Sequence, residues 1–377
     1  MADNKAFAKV VAPRKTVIFA LQKSIKHLSL LVTFRQTMFQ IKPLLSAKTL
    51  PASLRQTTIK NIMVSKDLKD EDINNFKALL DYFRQLSSDG ISSLIEKQII
   101  SMLDNSIPFF SHLVMTDVFP EIHRLTVNRR VTGQNKRIRD IDLLKYPPAD
   151  KVTKYGRCNL PNQSVLYASF LKMTTMSELK PRIGDLITET TWKVKDNQSL
   201  IFCPIFKNQP TKKDVINPRT LEIENLYEKK LKDYPEKVKA QIDALVQFVA
   251  DNFTKKVHPE RHIDYIFSAY FSNKIFKDFE NGTIEAIYYP SVQDGLSFEN
   301  LAIKSTVFDA KYQLAEVKDS VIVVDPSTGK GGYFMEGLSE CKNFDFAAKK
   351  VLWDNNKIYQ SPDTIADLNR RFGVDLT

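Results

Sequence analysis

Cysteine is scarce in this 377-residue sequence and scattered where it occurs. Cys158, Cys203 and Cys341 lie far apart, so they make neither a disulfide framework nor a C-x-x-C metal pair; a reducing compartment, the cytoplasm, fits that usage. Metal-binding patterns are missing as well. His258 and His262 stand four apart, but no H-E-x-x-H arrangement or further ligand accompanies them, so no metal is expected. The glycine-rich stretch 326–332 lacks the G-x-x-x-x-G-K-[ST] spacing of a phosphate loop and reads as a turn between strands. Long apolar runs are absent too. Residues 17–21 follow Arg14-Lys15 as a signal sequence would, but Gln22, Lys23, Lys26 and His27 interrupt them and no small-residue cleavage site follows. The stretch 16–34 carries too many charges to span a bilayer and reads as an amphipathic helix with Phe19, Ile25 and Leu28 on its core side, so no membrane association is expected.

What is present describes a globular chain with 43% hydrophobic and 26% charged residues, long enough for a large core in two or three units. The net charge of +11 favours anionic partners without fixing a chemistry. Residues 1–105 read mostly as helix. In 70–86, Phe76, Leu79, Leu80 and Phe83 fall on one helical face behind the acidic start Asp70, Glu71 and Asp72; 91–103 reads as another helix. The early lysines (Lys5, Lys9, Lys15, Lys23, Lys26) admit nucleic-acid binding, but a solvated helical face is the simpler reading.

From residue 118 the pattern turns to short strands and turns. The basic loop 128–139, with Arg129, Arg130, Lys136, Arg137 and Arg139, suits a phosphate-bearing ligand, while the lack of interleaved aromatics disfavours single-stranded nucleic acid. Residues 183–192 read as a strand with Gly184 in a turn, 208–219 as a polar turn, and 221–256 as two helices with Pro235 near the start of the second. Val238, Ile242, Leu245, Val246 and Val249 mark that second helix's core face, and a further helix runs from Tyr265 past Ile275. Strands are expected at 284–288 and 321–324, and a terminal amphipathic helix at 362–372. Three segments result: a helical region 1–105, a central unit 118–317 and a small extension 319–377.

The stretch 154–181 organises the rest. A Gly156-Arg157-x-Asn159 turn and the turn residues Pro161 and Asn162 lead into a strand at 164–168, and a helix follows that ends in Ser-Glu-Leu before Pro181. Arg157, Tyr167 and Glu178 are thereby brought to the ends of a strand and a helix. Arg offers a fork for phosphate, Tyr a ring face and a hydroxyl, and Glu a base or a cation stabiliser. Taken alone, three such common residues read more readily as structural.

Arg124, Gly156-Arg157-Cys158-Asn159, Leu166-Tyr167, Ser177-Glu178, Tyr289-Pro290-Ser291 and Asn300-Leu301-Ala302 follow one another in an order that resembles the RES family, named for an Arg, a Glu and a Ser. The resemblance covers about residues 118–317 and departs from the family at Cys158, where an aromatic is usual. It implies an α+β fold, an ADP-ribosyltransferase-like RES domain preceded here by a mostly helical region. It further implies degradation of NAD at the nicotinamide–ribose bond, by hydrolysis or phosphorolysis, by the toxin of a pair with a helix-turn-helix antitoxin. Glu178, Ser291, Arg157 and Arg124 are then the catalytic candidates, and Tyr167, Arg157 and Asn159 the substrate-binding ones. Glu178 would stabilise the ribosyl cation, Arg157 and Arg124 would hold the pyrophosphate, Tyr167 would stack on nicotinamide, and Ser291 would hydrogen-bond the ribose or the amide. Arg157 ranks ahead of Arg124 for ligand contact because it sits in a turn; the alternative for Arg124 is to pair with Glu178 and orient it. NAD is the expected substrate with phosphate as an optional co-substrate; no cofactor is required, and a homo-oligomer stays open. Two other classes compete: an ADP-ribosyltransferase acting on a macromolecule, and a non-catalytic nucleic-acid-binding or scaffold protein.

Overall fold

The computed structural model describes residues 68–89, 91–92, 96–107, 112–209, 218–329, 332–353 and 357–377. The helix expected at 16–34, the early lysines and most of the polar turn at 208–219 lie outside them. The described chain is α+β. Its helices are α1 (Asp70–Asp89), α2 (Glu96–Ser106), α3 (Asn128–Thr132), α4 (Lys172–Leu179), α5 (Pro218–Leu231), α6 (Glu236–Thr254), α7 (Ile266–Lys277), α8 (Ser305–Lys311) and α9 (Pro362–Phe372). The strands are β1 (Met115–Asp117), β2 (Glu121–Val127), β3 (Val165–Ser169), β4 (Leu186–Val194), β5 (Leu200–Pro204), β6 (Ala286–Pro290), β7 (Glu299–Lys304), β8 (Tyr312–Val324), β9 (Phe334–Cys341), β10 (Phe344–Asp345), β11 (Lys350–Val351) and β12 (Lys357–Ile358). Among the described residues no helix is long and apolar enough to cross a membrane.

Ten strands form one mixed sheet in the order β1-β5-β6-β7-β3-β2-β4-β8-β9-β12, and β10 with β11 makes a small hairpin. All neighbours are antiparallel except β5 and β6. One joint is weak. β2 and β3 pair at a single position, His123 opposite Ser169, whereas β2 and β4 pair along all of Glu121–Val127. The joint between β2 and β3 is therefore open along most of β2, and Arg124 meets the Tyr167 carbonyl of β3 there.

The half of the sheet from β1 to β3 is covered by helices. The apolar positions of α1 are buried as the helical period requires, with Phe76, Leu80 and Phe83 fully enclosed, each contributing about 2 kcal/mol of burial. They share one core with Phe248 and Phe253 of α6, with Phe267 and Phe271 of α7, and with Ile287 and Tyr289 of β6. Arg84 on α1 also pairs with Asp251 on α6 at 2.8 Å. The described N-terminal helices are thus one layer of the same core. Pro235 is the N-cap of α6, and Val238, Ile242, Leu245, Val246 and Val249 are all buried, as their spacing predicts.

On the half from β2 to β12, the boundary at 317–319 falls inside the continuous strand β8, which pairs with β4 from Leu186 to Val194. β9 and β12 extend that sheet. α9, at 362–372 as expected, seats Leu368 against Leu186, Val321 and Leu338. The segment after 319 therefore adds strands to the central sheet. Gly184 turns the chain into β4 with φ +84, as expected.

Candidate functional site

β3 delivers two polar side chains to the face covered by α6 and α7. Tyr167 lies opposite Ala302 and Ser169 opposite Asn300, and Asn300 lies opposite Tyr289 on β6. Directly opposed residues share a face, so Tyr167, Ser169, Asn300 and Tyr289 point the same way. α4 begins three residues after β3. Its Met176 packs on Leu125, Val127 and Ile187 across the β2–β3 joint, which turns the last turn of α4 toward that face. Glu178 stands there, half-buried.

Glu178 Oε1 accepts two hydrogen bonds, from Ser291 Oγ at 2.7 Å and from Asn300 Nδ2 at 2.8 Å. Asn300 is itself oriented, because its Oδ1 accepts from Ser169 Oγ. Ser291, Asn300 and Ser169 are all buried. Two donors on one oxygen fix the rotation of the carboxylate. Glu178 Oε2 accepts no hydrogen bond from the described residues. Ser291 follows β6 in a short loop to β7, where Asp294 Oδ2 lies 3.2 Å from Ser291 Oγ.

Arg124, on β2, reaches across the open joint and donates from Nη1 to the Tyr167 carbonyl at 3.0 Å. A side-chain donor stands here where the strand ladder has opened. Arg124 Nε is buried with no hydrogen-bond partner, and no carboxylate pairs with this guanidinium among the described residues. Burial pushes it down to about 10, opposed by the nearby Tyr167 phenol, so it remains a cation at neutral pH. A half-buried cation whose Nε is enclosed without a partner is costly to keep, and an incoming anion would relieve it.

Arg157 is placed differently. Its guanidinium is buried and donates to the Phe253 carbonyl and, at 3.3 and 3.4 Å, to the Lys255 carbonyl, at the C-terminal end of α6. It also lies over the Tyr265 ring, 5.0 Å from the centroid. This is a helix-end cap with cation–π support, so the fork expected for phosphate already holds carbonyls. Tyr167 and Asn159 are likewise bound to each other: Tyr167 Oη donates to Asn159 Oδ1 at 2.8 Å and accepts from the Cys158 amide at 2.8 Å. Asn159 Nδ2 donates to the Lys154 and Leu160 carbonyls. A Cβ on Gly156 would collide with the Asn159 side-chain oxygen and come within 2.8 Å of Tyr167 Oη, which is why glycine opens this turn.

The two groups adjoin. Burial first, and then the Cys158, Glu178 and Tyr167 groups, hold the Tyr289 phenol far above its ordinary range, while Arg157 opposes them. Tyr289 thus sits between the Glu178 end and the Arg157 corner. Cys158 packs beneath, fully buried, its thiol pushed up to about 12 chiefly by burial.

Other expectations resolve as follows. Arg124 has no ion pair with Glu178; Ser291 and Asn300 do the orienting. Most of the basic loop is engaged within the protein. Arg129 pairs with Asp185 at 2.5 Å, Arg130 donates to the Leu179 and Lys180 carbonyls, Lys136 lies 3.4 Å from Asp375, and Arg137 pairs with buried Asp319 at 2.8 Å. His258 lies in the loop after α6 and His262 in a separate turn, stacked on Tyr155, so the two share no helix face. Among the described residues no group of three or more His, Cys, Asp or Glu is placed to hold a metal.

Reading by residue type missed Asn300 as a partner of Glu178, and also Ser169 and Asp294. The available signal for Asn300 was its place in the Asn300-Leu301-Ala302 piece, an amide in a strand, where asparagine is disfavoured. Comparison with protein-family models, curated proteins and solved structures finds no match for this chain.

Proposed function

We propose that this protein degrades NAD by cleaving the nicotinamide–ribose bond, on an ADP-ribosyltransferase-like RES fold. One observation carries the reading: Glu178 is a carboxylate oriented by Ser291 and Asn300 whose other oxygen accepts no hydrogen bond from the described residues, and β3, whose Ser169 orients Asn300, also holds Arg124 at its Tyr167 carbonyl, a cation with no carboxylate partner among the described residues. The substrate has the complementary features. Its pyrophosphate is anionic, and its ribose becomes cationic as nicotinamide departs.

In this reading Glu178 Oε2 faces the ribosyl carbon and stabilises its developing charge, while Ser291 and Asn300 keep that carboxylate aimed. Arg124 takes the pyrophosphate. Tyr289 and Tyr167 form the aromatic floor, and Arg157 holds α6 against that floor. The motif order that resembles the RES family agrees with the chemistry. The same resemblance carries the weaker proposals of a cytoplasmic toxin and of a helix-turn-helix antitoxin partner.

The test is consumption of NAD by the purified chain, followed as nicotinamide release, beside Glu178→Gln. Release by the wild type and none by a folded variant is the expected result. Labelled ADP-ribose found on a protein or nucleic acid, with no free product, would instead select a macromolecular ADP-ribosyltransferase. Salt-dependent nucleic-acid binding without NAD turnover would select the binding protein.

A further inference from the structure

We propose that the acceptor in this reaction is water, activated by Asp294 as the base; the inference rests on the NAD-cleaving reading above and names its second substrate. Ser291 Oγ lies between two carboxylates, 2.7 Å from Glu178 Oε1 and 3.2 Å from Asp294 Oδ2. A hydroxyl has one proton, and the shorter contact commits it to Glu178. Asp294 Oδ2 is left beside that hydroxyl as an acceptor in need of a donor. No described cation forms an ion pair with Asp294, so its charge is not neutralised locally.

The loop holds Asp294 in place. The Ser291 amide donates to the Phe298 carbonyl at 2.7 Å, the Leu296 amide to the Ser291 carbonyl at 2.8 Å and the Ser297 amide to the Asp294 carbonyl at 3.3 Å. A water molecule meets both needs, since it can donate one proton to Asp294 while its oxygen turns to the ribosyl carbon beside Glu178. Inorganic phosphate fits poorly. It would bring acceptor oxygens and negative charge to a position flanked by two carboxylates. The cations that would attract it are engaged elsewhere: Arg129 with Asp185, Arg130 with two carbonyls, Lys136 with Asp375, Arg137 with Asp319, and Arg157 with the end of α6. Arg139, the remaining cation of the basic loop, lies beside the β10–β11 hairpin.

The step balances as a hydrolysis. The C–N bond breaks and nicotinamide leaves with the bonding pair, which neutralises its ring. The water oxygen bonds to the ribosyl carbon, and its proton passes to Asp294 and then to solvent. Nicotinamide, ADP-ribose and one proton are formed.

The experiment incubates the full chain with NAD in millimolar inorganic phosphate and separates the products. ADP-ribose as the product, at a rate indifferent to phosphate, is expected. ADP-ribose phosphorylated on the nicotinamide-side ribose would overturn the acceptor assignment and leave NAD cleavage standing. No nicotinamide release would overturn the underlying reading and this inference with it. Asp294→Asn should lower kcat about a hundredfold with little change in KM for NAD. Azide, which attacks without losing a proton, should restore nicotinamide release in that variant and not accelerate the wild type. Wild-type kcat in folded Asp294→Asn would remove Asp294 from the role. The product assay uses the unmodified chain, so it decides the acceptor even where the variant does not fold.

Discussion

Two buried polar corners meet at Tyr289, and they differ in one respect. In the Gly156–Tyr167 corner, the polar groups of Arg157, Asn159 and Tyr167 bond to one another or to main-chain groups. In the Glu178 corner, among the described residues, one carboxylate oxygen accepts two bonds and the other none and Asp294 has no cation partner, while at the β2–β3 joint Arg124 keeps an unpaired Nε. The first arrangement stabilises the fold and has little left to offer a ligand. The second retains unsatisfied charge, which a protein keeps at a cost in stability and a substrate can relieve. The difference teaches that a polar motif becomes a site through its unused valence rather than its residue types.

The largest expected effect tests the open corner. Glu178→Gln keeps shape and most hydrogen bonding but removes the charge, so nicotinamide release should fall about a thousandfold at an unchanged melting temperature. Turnover near wild type would dissolve the contrast.

The two arginines should then separate. Arg157→Ala leaves the α6 carbonyls unpaired and should cost about 3 kcal/mol in denaturant unfolding. Arg124→Met removes an uncompensated buried charge, so stability should hold or rise while NAD binding weakens about a hundredfold by calorimetry. A destabilised Arg124→Met together with a stable, weakly binding Arg157→Ala would reverse the assignment.

Gly156→Ala sharpens the closed corner. The added methyl displaces Asn159 or Tyr167, and a loss of about 2 kcal/mol is expected in thermal melts. An unaffected variant would mean that the corner is looser than its hydrogen bonds imply.

The smallest effect lies away from both corners. Glu189 on β4 is buried, and burial raises its carboxyl, against the pull of Lys172 and Lys318. With the folded value above the unfolded one, the native state favours the protonated form. That contribution is complete below the unfolded value and is lost as pH rises through the folded one. Glu189→Gln should therefore raise stability at pH 7, with the gain shrinking as pH falls through the raised folded value and gone below the unfolded value of about 4. A loss at pH 7 would show that the lysines outweigh the burial.

Much of the fold was legible because it depends on local period and turn chemistry. Phe76, Leu79, Leu80 and Phe83 specify one face of α1 whatever they meet, and Pro235, Gly184 and the 362–372 pattern mark ends and turns through backbone sterics. Glu178, Ser291 and Arg124 were named as candidates by type and order, and the structure joins the first two by a hydrogen bond. The placement of the segments was less visible. The boundary at 317–319 proved to be mid-strand, because the pairing of β8 with β4 joins residues more than a hundred positions apart and leaves no local mark.

The sequence by itself determined where helices and strands run and which side chains are chemically able to act, since periodicity, turn residues and functional groups are properties of short stretches. Only the tertiary structure decided which of those groups stay free. Arg157 meets the end of α6 and is consumed there, whereas Arg124 meets the open β2–β3 joint and no carboxylate among the described residues. Glu178 is aimed by Ser291 and Asn300, each more than a hundred residues away in the chain. Whether a hydrogen-bonding group is satisfied depends on what lies within about 3 Å of it, and distant segments of the chain supply that shell.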